Sequence, residues 1–355
     1  MVNIYIYGAG QTGDKLEKFI NKYYENILIA GFIDKYKEGE IRGIPILKLN
    51  EVDKEDNIVI PIESIHTVWE IVEELHENGF SNIWRYLGRE VVNSDFLESN
   101  CKYLEKGYLP HLEMHIMDAC NLNCRGCAHY APIYQKVIPD YNSRMNDVKR
   151  VRDVFSYIEC FYILGGEPFL NTQIGDYAID ISKIFPDSHK GIITNGLLIP
   201  QVDASVLDKI KNSGFVIYIS DYEPTHCIIE KIKDRLNEFS IEYIIQESKA
   251  KFNLPLSLSE NSKYEKCCIA PACVNIYEGK IARCPELMFI PAFNAYYKTN
   301  LPEEGIISLY ESIDGWELMK KMRKEVPLCD HCIKYEIDWS LCGKKPSISD
   351  FSVNE

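Results

Sequence analysis

Thirteen cysteines punctuate this 355-residue chain, and ten of them fall in three groups. Cys120-x3-Cys124-x2-Cys127 puts three thiols on one short stretch, four more lie within Cys267–Cys284, and three within Cys329–Cys342. The number is odd, and the N-terminus, MVNIYIYGAG, lacks the basic, apolar and small-residue succession of a secretory signal. The chain therefore reads as cytoplasmic, where thiols stay reduced and a disulfide framework explains such grouping poorly. Clustered thiols in a reducing compartment point to metal. Three thiolates on one loop can hold three irons of a 4Fe–4S cubane and leave the fourth iron open. Zinc ordinarily wants a fourth ligand at close quarters, and none stands beside the first triplet, so spacing favours iron–sulfur over zinc there. Cys101, Cys160 and Cys227 stand alone and read as small buried hydrophobes.

Apolar periodicity supplies the elements that must position these thiols. Residues 1 to about 100 predict a small parallel α/β unit. Its strands fall at Asn3–Tyr7, Ile27–Ile33, Ile58–Ile62 and Ile83–Tyr86, with helices at Asp14–Tyr24 and His66–Asn78. Cys101–Pro110 has mixed polarity and reads as a linker. A second βα run follows, with strands at Leu112–Met117, Phe161–Leu164, Gly191–Thr194, Phe215–Ile219 and Ile241–Ile245. Helices such as Arg144–Tyr157, Ile174–Ile184 and Cys227–Glu238 lie between them, a pattern compatible with an open or partial barrel. Beyond about Ala250 the chain reads as loops and cysteines, with one hairpin over Val274–Cys284 turning at Glu278-Gly279. The predicted domains are 1–100, 108–255 and 256–345.

Gly8-Ala-Gly10-Gln-Thr-Gly13 follows the first strand and opens the first helix, with Asp34 standing 21 positions after Gly13. That is the context of a dinucleotide-type turn, where the glycines bring a helix N-terminus to a phosphate. The stretch GFIDKYKEGEIRGIPIL also resembles the N-terminal domains of bacterial sugar acyltransferases, which use this fold for nucleotide sugars. Gly8, Gly10, Gly13 and Asp34 are thus candidate nucleotide contacts. A structural or docking domain that has kept the fold is the competing reading.

The segment DACNLNCRGC closely resembles the signature of the radical SAM superfamily, whose three cysteines follow the first barrel strand. Gly165-Gly166-Glu167-Pro168 follows the second strand, where that family has its GGEP motif, and Thr194-Asn195-Gly196 follows the third. The likeness spans roughly residues 110–250. It implies a partial (β/α)6 barrel in which Cys120, Cys124 and Cys127 hold a 4Fe–4S cluster that binds S-adenosylmethionine. Reductive cleavage of that cofactor then abstracts a hydrogen atom from an unactivated C–H bond. Implied cofactor contacts are Gly165, Gly166, Glu167, Pro168, Thr194, Asn195, Ser220, His129 and Tyr130. Gly126 departs from the pattern, since the family often carries an aromatic residue there. Adenine contact then passes to the backbone around Ala128–Tyr130.

Cys268, Gly279-x4-Cys284 and Cys329-x2-Cys332 resemble the twitch domain, the shortened SPASM extension of many radical SAM enzymes. That resemblance implies one auxiliary 4Fe–4S cluster on Cys268, Cys284, Cys329 and Cys332, with Cys267 and Cys273 competing for the first position. Two full clusters would need eight thiols where this region has seven. A zinc-stapled hairpin is the alternative, since Cys-x2-Cys also suits zinc. His331, inside that pair, reads as a supporting or exposed residue rather than a ligand.

Lys plus Arg total 39 against 53 Asp plus Glu, and the formal charge of −14 disfavours nucleic acid and anionic membrane as partners. No apolar run approaches the ~18–20 residues of a membrane-spanning helix. The leading expectation is a radical SAM enzyme of oxidoreductase or epimerase type, fed electrons by a flavodoxin- or ferredoxin-type donor. Its substrate would be a carbohydrate-type or nucleotide-sugar molecule of polysaccharide or secondary-metabolite biosynthesis. Dehydrogenation needs a base, for which His115, Asp118, Asp221, Tyr222 and His226 are candidates. Epimerisation needs a thiol to return a hydrogen atom, for which Cys160, Cys227, Cys273 or Cys342 could serve. A peptide maturase is the second expectation, against which the N-terminal unit does not read as a leader-binding module. A non-enzymatic iron–sulfur sensor is the third, and it has no use for GGEP and TNG motifs.

Overall fold

The computed structural model describes residues 1–93, 95–248, 250–260 and 273–353. Packing divides the chain into two units, the first made of Met1–Pro110, Asp153–Glu159 and Asp314–Lys320, and the second of the rest.

The first unit builds one sheet. Its strands are β1 (Val2–Tyr7), β2 (Ile27–Ile33), β3 (Gly39–Ile41), β4 (Ile44–Leu47), β5 (Asn57–Ile60), β6 (Ile83–Tyr86) and β7 (Cys101–Tyr103), in the order β3-β4-β2-β1-β5-β6-β7. Parallel pairs form its centre and antiparallel β3 and β7 close its ends. Helix α1 (Gln11–Tyr23) buries Leu16, Phe19 and Ile20, spaced i, i+3, i+4, against the sheet core. Helix α2 (Ile65–Glu77) starts where Ser64 accepts a hydrogen bond from Thr67 N and buries Val68, Trp69, Ile71, Val72 and Leu75. A short α3 (Phe96–Asn100) precedes β7. Cys101–Pro110 is therefore not a linker. It supplies β7 and the first residues of β8, because Cys101, Leu104, Tyr108 and Leu109 are all buried.

The second unit carries the long β8 (Tyr108–Met117), α4 (Tyr141–Val154), β9 (Tyr157–Gly165), α5 (Ile174–Ile184), β10 (His189–Thr194), α6 (Ala204–Ser213) and β11 (Val216–Ile219). There follow α7 (Glu223–His226), α8 (Ile229–Glu238), β12 (Tyr243–Ile245), β13 (Lys251–Ser257) and the hairpin β14 (Val274–Tyr277) and β15 (Lys280–Ala282). Then come α9 (Pro285–Tyr297), β16 (Ile307–Ser308), α10 (Gly315–Arg323), most of which belongs to the first unit, and β17 (Cys332–Asp338) and β18 (Ser352–Val353). The main sheet runs β12-β11-β10-β9-β8-β14-β15-β16, so the hairpin extends the barrel strands by a parallel β14–β8 pairing. β13 leaves this sheet and pairs antiparallel with β17 and parallel with β18.

Two expectations change here. The predicted helix over Arg144–Tyr157 ends at Val154, and Tyr157 already starts β9. The region after Ala250 is not mainly loops. Periodicity does not reveal helix α9, because it is apolar on all sides and buried, so it has no polar stripe to give a period. Its Leu287, Phe289, Ile290 and Phe293 join Tyr130, Leu256 and Phe351 in one core against which Cys127, Cys284 and Cys342 pack.

Candidate functional site

The loop after β8 carries the first cysteine group, and its neighbours hold it in place from three sides. Gly166 N donates to Met117 O at 2.7 Å and Glu167 N to Ala119 O at 3.0 Å, so the loop after β9 lies against the loop after β8. A Cβ on Gly165 would sit 1.9 Å from Met117 O, and one on Gly166 would sit 2.4 Å from Ala119 C. Only glycine permits that approach. Glu167 is fully buried and takes hydrogen bonds from Thr194 Oγ1 at 2.7 Å, Asn195 N at 3.0 Å and Phe169 N at 3.0 Å. Burial lifts its carboxyl to about 7 against the pull of those donors. It therefore ties the loops after β9 and β10 together rather than facing open space.

The sulfurs themselves receive donors. Leu122 N points at Cys120 Sγ from 3.3 Å, Asn195 Nδ2 reaches it from 3.6 Å, and Trp339 Nε1 lies 3.3 Å from Cys124 Sγ. N–H groups aimed at sulfur suit thiolates that ligate a metal, and three such cysteines on one loop suit a cluster with one open iron. Burial raises the Cys120 thiol and pushes Cys124 up to about 12, whereas at Cys127 the neighbouring His129 overrides burial and lowers it.

A cavity of about 510 Å³ opens above these loops. Cys120, Cys124 and Cys127 line it, and so do Cys284, Cys329 and Cys332. Gly165, Gly166, Thr194, Asn195, Ser220 and His129 line it as well. Three of the cofactor residues expected from sequence lie elsewhere. Glu167 is buried between the loops after β9 and β10. Tyr130 buries its ring against Phe293 and Phe351, and Pro168 starts a buried turn after β9. Cys268, the expected first auxiliary ligand, and Cys267 lie outside the described residues. His331 is buried and its Nδ1 lies 3.1 Å from Ser257 O.

Gly126 has a physical reason. Its φ is +71°, and a Cβ would lie 2.4 Å from Asn253 O and 3.2 Å from Phe252 Cδ1. β13 occupies the space in which an aromatic side chain would stand.

Among the candidate bases, only Tyr222 lines the cavity. His226 is 71% exposed and its Nδ1 sits 3.1 Å from Asp221. His115 is buried at the barrel's inner face, 3.8 Å from Asp118, which accepts a hydrogen bond from Tyr277 at 2.9 Å. Of the lone cysteines only Cys101 is buried, and Cys227, at the end of α7, is exposed rather than a core residue.

Sequence reasoning missed Glu113. This buried carboxylate lines the cavity, with His111 Nε2 at 3.0 Å, Asn275 Nδ2 at 3.1 Å and His129 Nε2 at 3.9 Å. Burial works to raise it, but the two histidines outweigh that and hold it low, while His129 is lifted to about 10 by Cys127 and Glu113 in spite of burial. The signal was present as His111-x-Glu113-x-His115, three polar residues on one face of a buried strand. Arg283 was missed too. It is buried in the cavity wall with Nη1 3.6 Å from Cys329 Sγ.

In the first unit Asp34 is already engaged: its carboxylate accepts from Ala9 N, Tyr36 N and Lys37 N at 2.9, 2.9 and 3.0 Å. Gly8 has φ +103°, a Cβ on Gly13 would lie 2.0 Å from Gly8 O, and one on Gly10 would meet nothing within 4 Å.

Residues 114–221 match the radical SAM superfamily. The chain carries a radical SAM domain. Such a domain takes a 4Fe–4S cluster and AdoMet, and the thiol loop and glycine cradle described above fit both. Among solved structures, the chain is similar to BtrN in complex with AdoMet and 2-DOIA, with 15% identity over 63% of this chain and 92% of BtrN and a TM-score of 0.40. It is similar to anSMEcpe with bound AdoMet, with 14% identity over 70% and 93% and a TM-score of 0.40. It is also similar to Streptococcus suis SuiB bound to S-adenosylmethionine, with 17% identity over 39% and 33% and a TM-score of 0.33. The chain spans 42% of the peptide-bound anSMEcpe and 33% of SuiB. No curated protein sequence matches it. No helix among the described residues is long and apolar enough to cross a membrane.

Proposed function

We propose that this radical SAM enzyme acts on a small polyhydroxylated substrate of the sugar or nucleotide-sugar class, as a dehydrogenase or epimerase. One observation carries the reading. A single cavity is walled by both cysteine sets and by the paired Glu113 and His129. A buried carboxylate beside an imidazole binds a hydroxyl well, because the carboxylate accepts the hydroxyl's hydrogen bond and the imidazole N–H donates one to its oxygen. The bound cluster and AdoMet supply hydrogen-atom abstraction from an unactivated C–H bond.

In this reading Cys120, Cys124 and Cys127 hold the AdoMet cluster, and Cys284, Cys329 and Cys332 hold an auxiliary one with Cys268. Gly165, Gly166, Thr194, Asn195 and Ser220 shape the cofactor side of the cavity. Glu113 stands in the cavity wall together with Tyr222, one of the bases expected from sequence, and orients the substrate hydroxyl by accepting its hydrogen bond. Residues 1–100 form a nucleotide-type domain, 108–255 the barrel and 256–345 the auxiliary-cluster domain. The enzyme works in the cytoplasm with a flavodoxin- or ferredoxin-type donor.

Anaerobically reconstituted protein, incubated with AdoMet, a reductant and a panel of UDP-, GDP- and CDP-sugars, tests this. The expected result is substrate-dependent 5′-deoxyadenosine, lost in Cys124→Ala. A product lighter by one hydrogen pair identifies a dehydrogenase, and a product of unchanged mass in H2O that gains a single deuterium in D2O identifies an epimerase. Release of 5′-deoxyadenosine by Cys124→Ala would remove the cluster assignment, and turnover only with peptides would remove the substrate class.

A further inference from the structure

The end of the chain lies on the first cysteine loop. Arg125 N donates to Ser340 O at 3.0 Å, Gly126 N to Asp350 O at 2.7 Å, and Cys342 N to Asn123 O at 2.6 Å. Arg125 Nε sits 3.0 Å from Asp350, and an isolated antiparallel bridge joins Cys124 to Leu341. Within this strap Trp339 is fixed twice over: its N donates to Ala250 O at 2.9 Å, and its ring stacks on Tyr222 with centroids 5.6 Å apart. The indole Nε1–H then reaches Cys124 Sγ at 3.3 Å.

We propose that Trp339 is a positioning residue that raises the reduction potential of the cluster ligated by Cys124, and that the strap over 339–350 holds it there. The inference rests on the assignment of Cys120, Cys124 and Cys127 as cluster ligands. Its physics is simple. Reduction adds negative charge that spreads onto the ligand sulfurs, so an N–H aimed at one of them is worth more in the reduced state than in the oxidised. Removing that donor makes the cluster harder to reduce. Because the backbone and the ring are both tied down, the donor stays aimed at the sulfur in either redox state, the role that groups behind a metal's ligands commonly play. The effect is a tuning one, separate from cluster retention, for which the three thiols suffice.

The test is a redox titration of anaerobically reconstituted full-length protein, followed by the electron paramagnetic resonance signal that changes when AdoMet is added. W339F keeps an aromatic ring beside Tyr222 but removes the N–H along with part of the indole's bulk. The expected result is wild-type iron content with a more negative midpoint and a smaller reduced fraction at a fixed applied potential. An unchanged midpoint overturns the proposal. Where W339F does not retain iron, wild-type protein labelled with ¹⁵N at the indole nitrogen decides: a nitrogen hyperfine coupling to the reduced cluster supports it, and absence of coupling overturns it. Trp69, Trp84 and Trp316 are the other tryptophans, and their replacement by Phe should leave that coupling in place. Wild-type protein that holds no iron, or whose signal ignores AdoMet, would instead remove the cluster assignment beneath the proposal.

Discussion

Glycine and histidine make the sharpest single-residue tests. At Gly166 the missing Cβ is what lets the loop after β9 lie on Ala119. Gly166→Ala should therefore cost at least about 2 kcal/mol of stability, read as a lowered thermal midpoint, because backbone would have to move on both sides. A midpoint equal to that of wild type would show the cradle to be loose. His115 gives a pH test. Burial holds its imidazole down at about 4, although Asp118 and Glu113 pull it up, while His129 opposes them. In the unfolded chain it titrates near 6.5. Neutral His115 thus supports the fold fully above about 6.5, and that support drains away as pH falls towards 4, on the order of 3 kcal/mol in all. His115→Leu should flatten this acid limb, and an unchanged pH profile of the melting temperature would count against it.

At the scale of elements, the site is an agreement between loops that follow successive strands. The loops after β8, β9 and β10 meet through Glu167, whose buried carboxylate gathers donors from Thr194, Asn195 and Phe169. Glu167→Ala removes the acceptor and leaves two backbone N–H groups and a hydroxyl without it, so the loops should separate. AdoMet affinity should fall at least tenfold, about 1.4 kcal/mol, with iron content close to wild type. Equilibrium dialysis alongside iron assay checks both. Loss of iron together with AdoMet would mean that Glu167 holds the cysteine loop itself.

Across the whole molecule the two cysteine sets should load independently. A protein lacking Cys120, Cys124 and Cys127 should still bind about four irons if the C-terminal thiols hold a cubane. Zinc in their place after anaerobic purification would favour the stapled hairpin. In the first unit the glycines should differ. Gly13→Ala would press on Gly8 O and unfold the turn, whereas Gly10→Val, facing open space, should leave the unit folded. If the turn cradles a phosphate, Gly10→Val should weaken a nucleotide sugar at least tenfold by calorimetric titration, about 1.4 kcal/mol. Absence of heat from any UDP-, GDP- or CDP-sugar on the wild type would leave this unit as a docking module.

Much of this was determined by the sequence alone. Cys120-x3-Cys124-x2-Cys127, GGEP and TNG are local: their residues act within a few positions of one another, and alternating strands and helices dictate where such motifs fall. Tertiary structure decided the rest, for reasons that local pattern does not carry. Helix α9 has no polar stripe, so only burial reveals it. Glu113 reads as one polar residue beside His111 in a strand, and only the fold brings Asn275 and His129 around it from other segments. Gly126 looked like a departure until β13 filled the space beside it. Trp339 lies 215 positions from Cys124, a separation across which no spacing rule reaches, and only the fold brings its N–H to the sulfur.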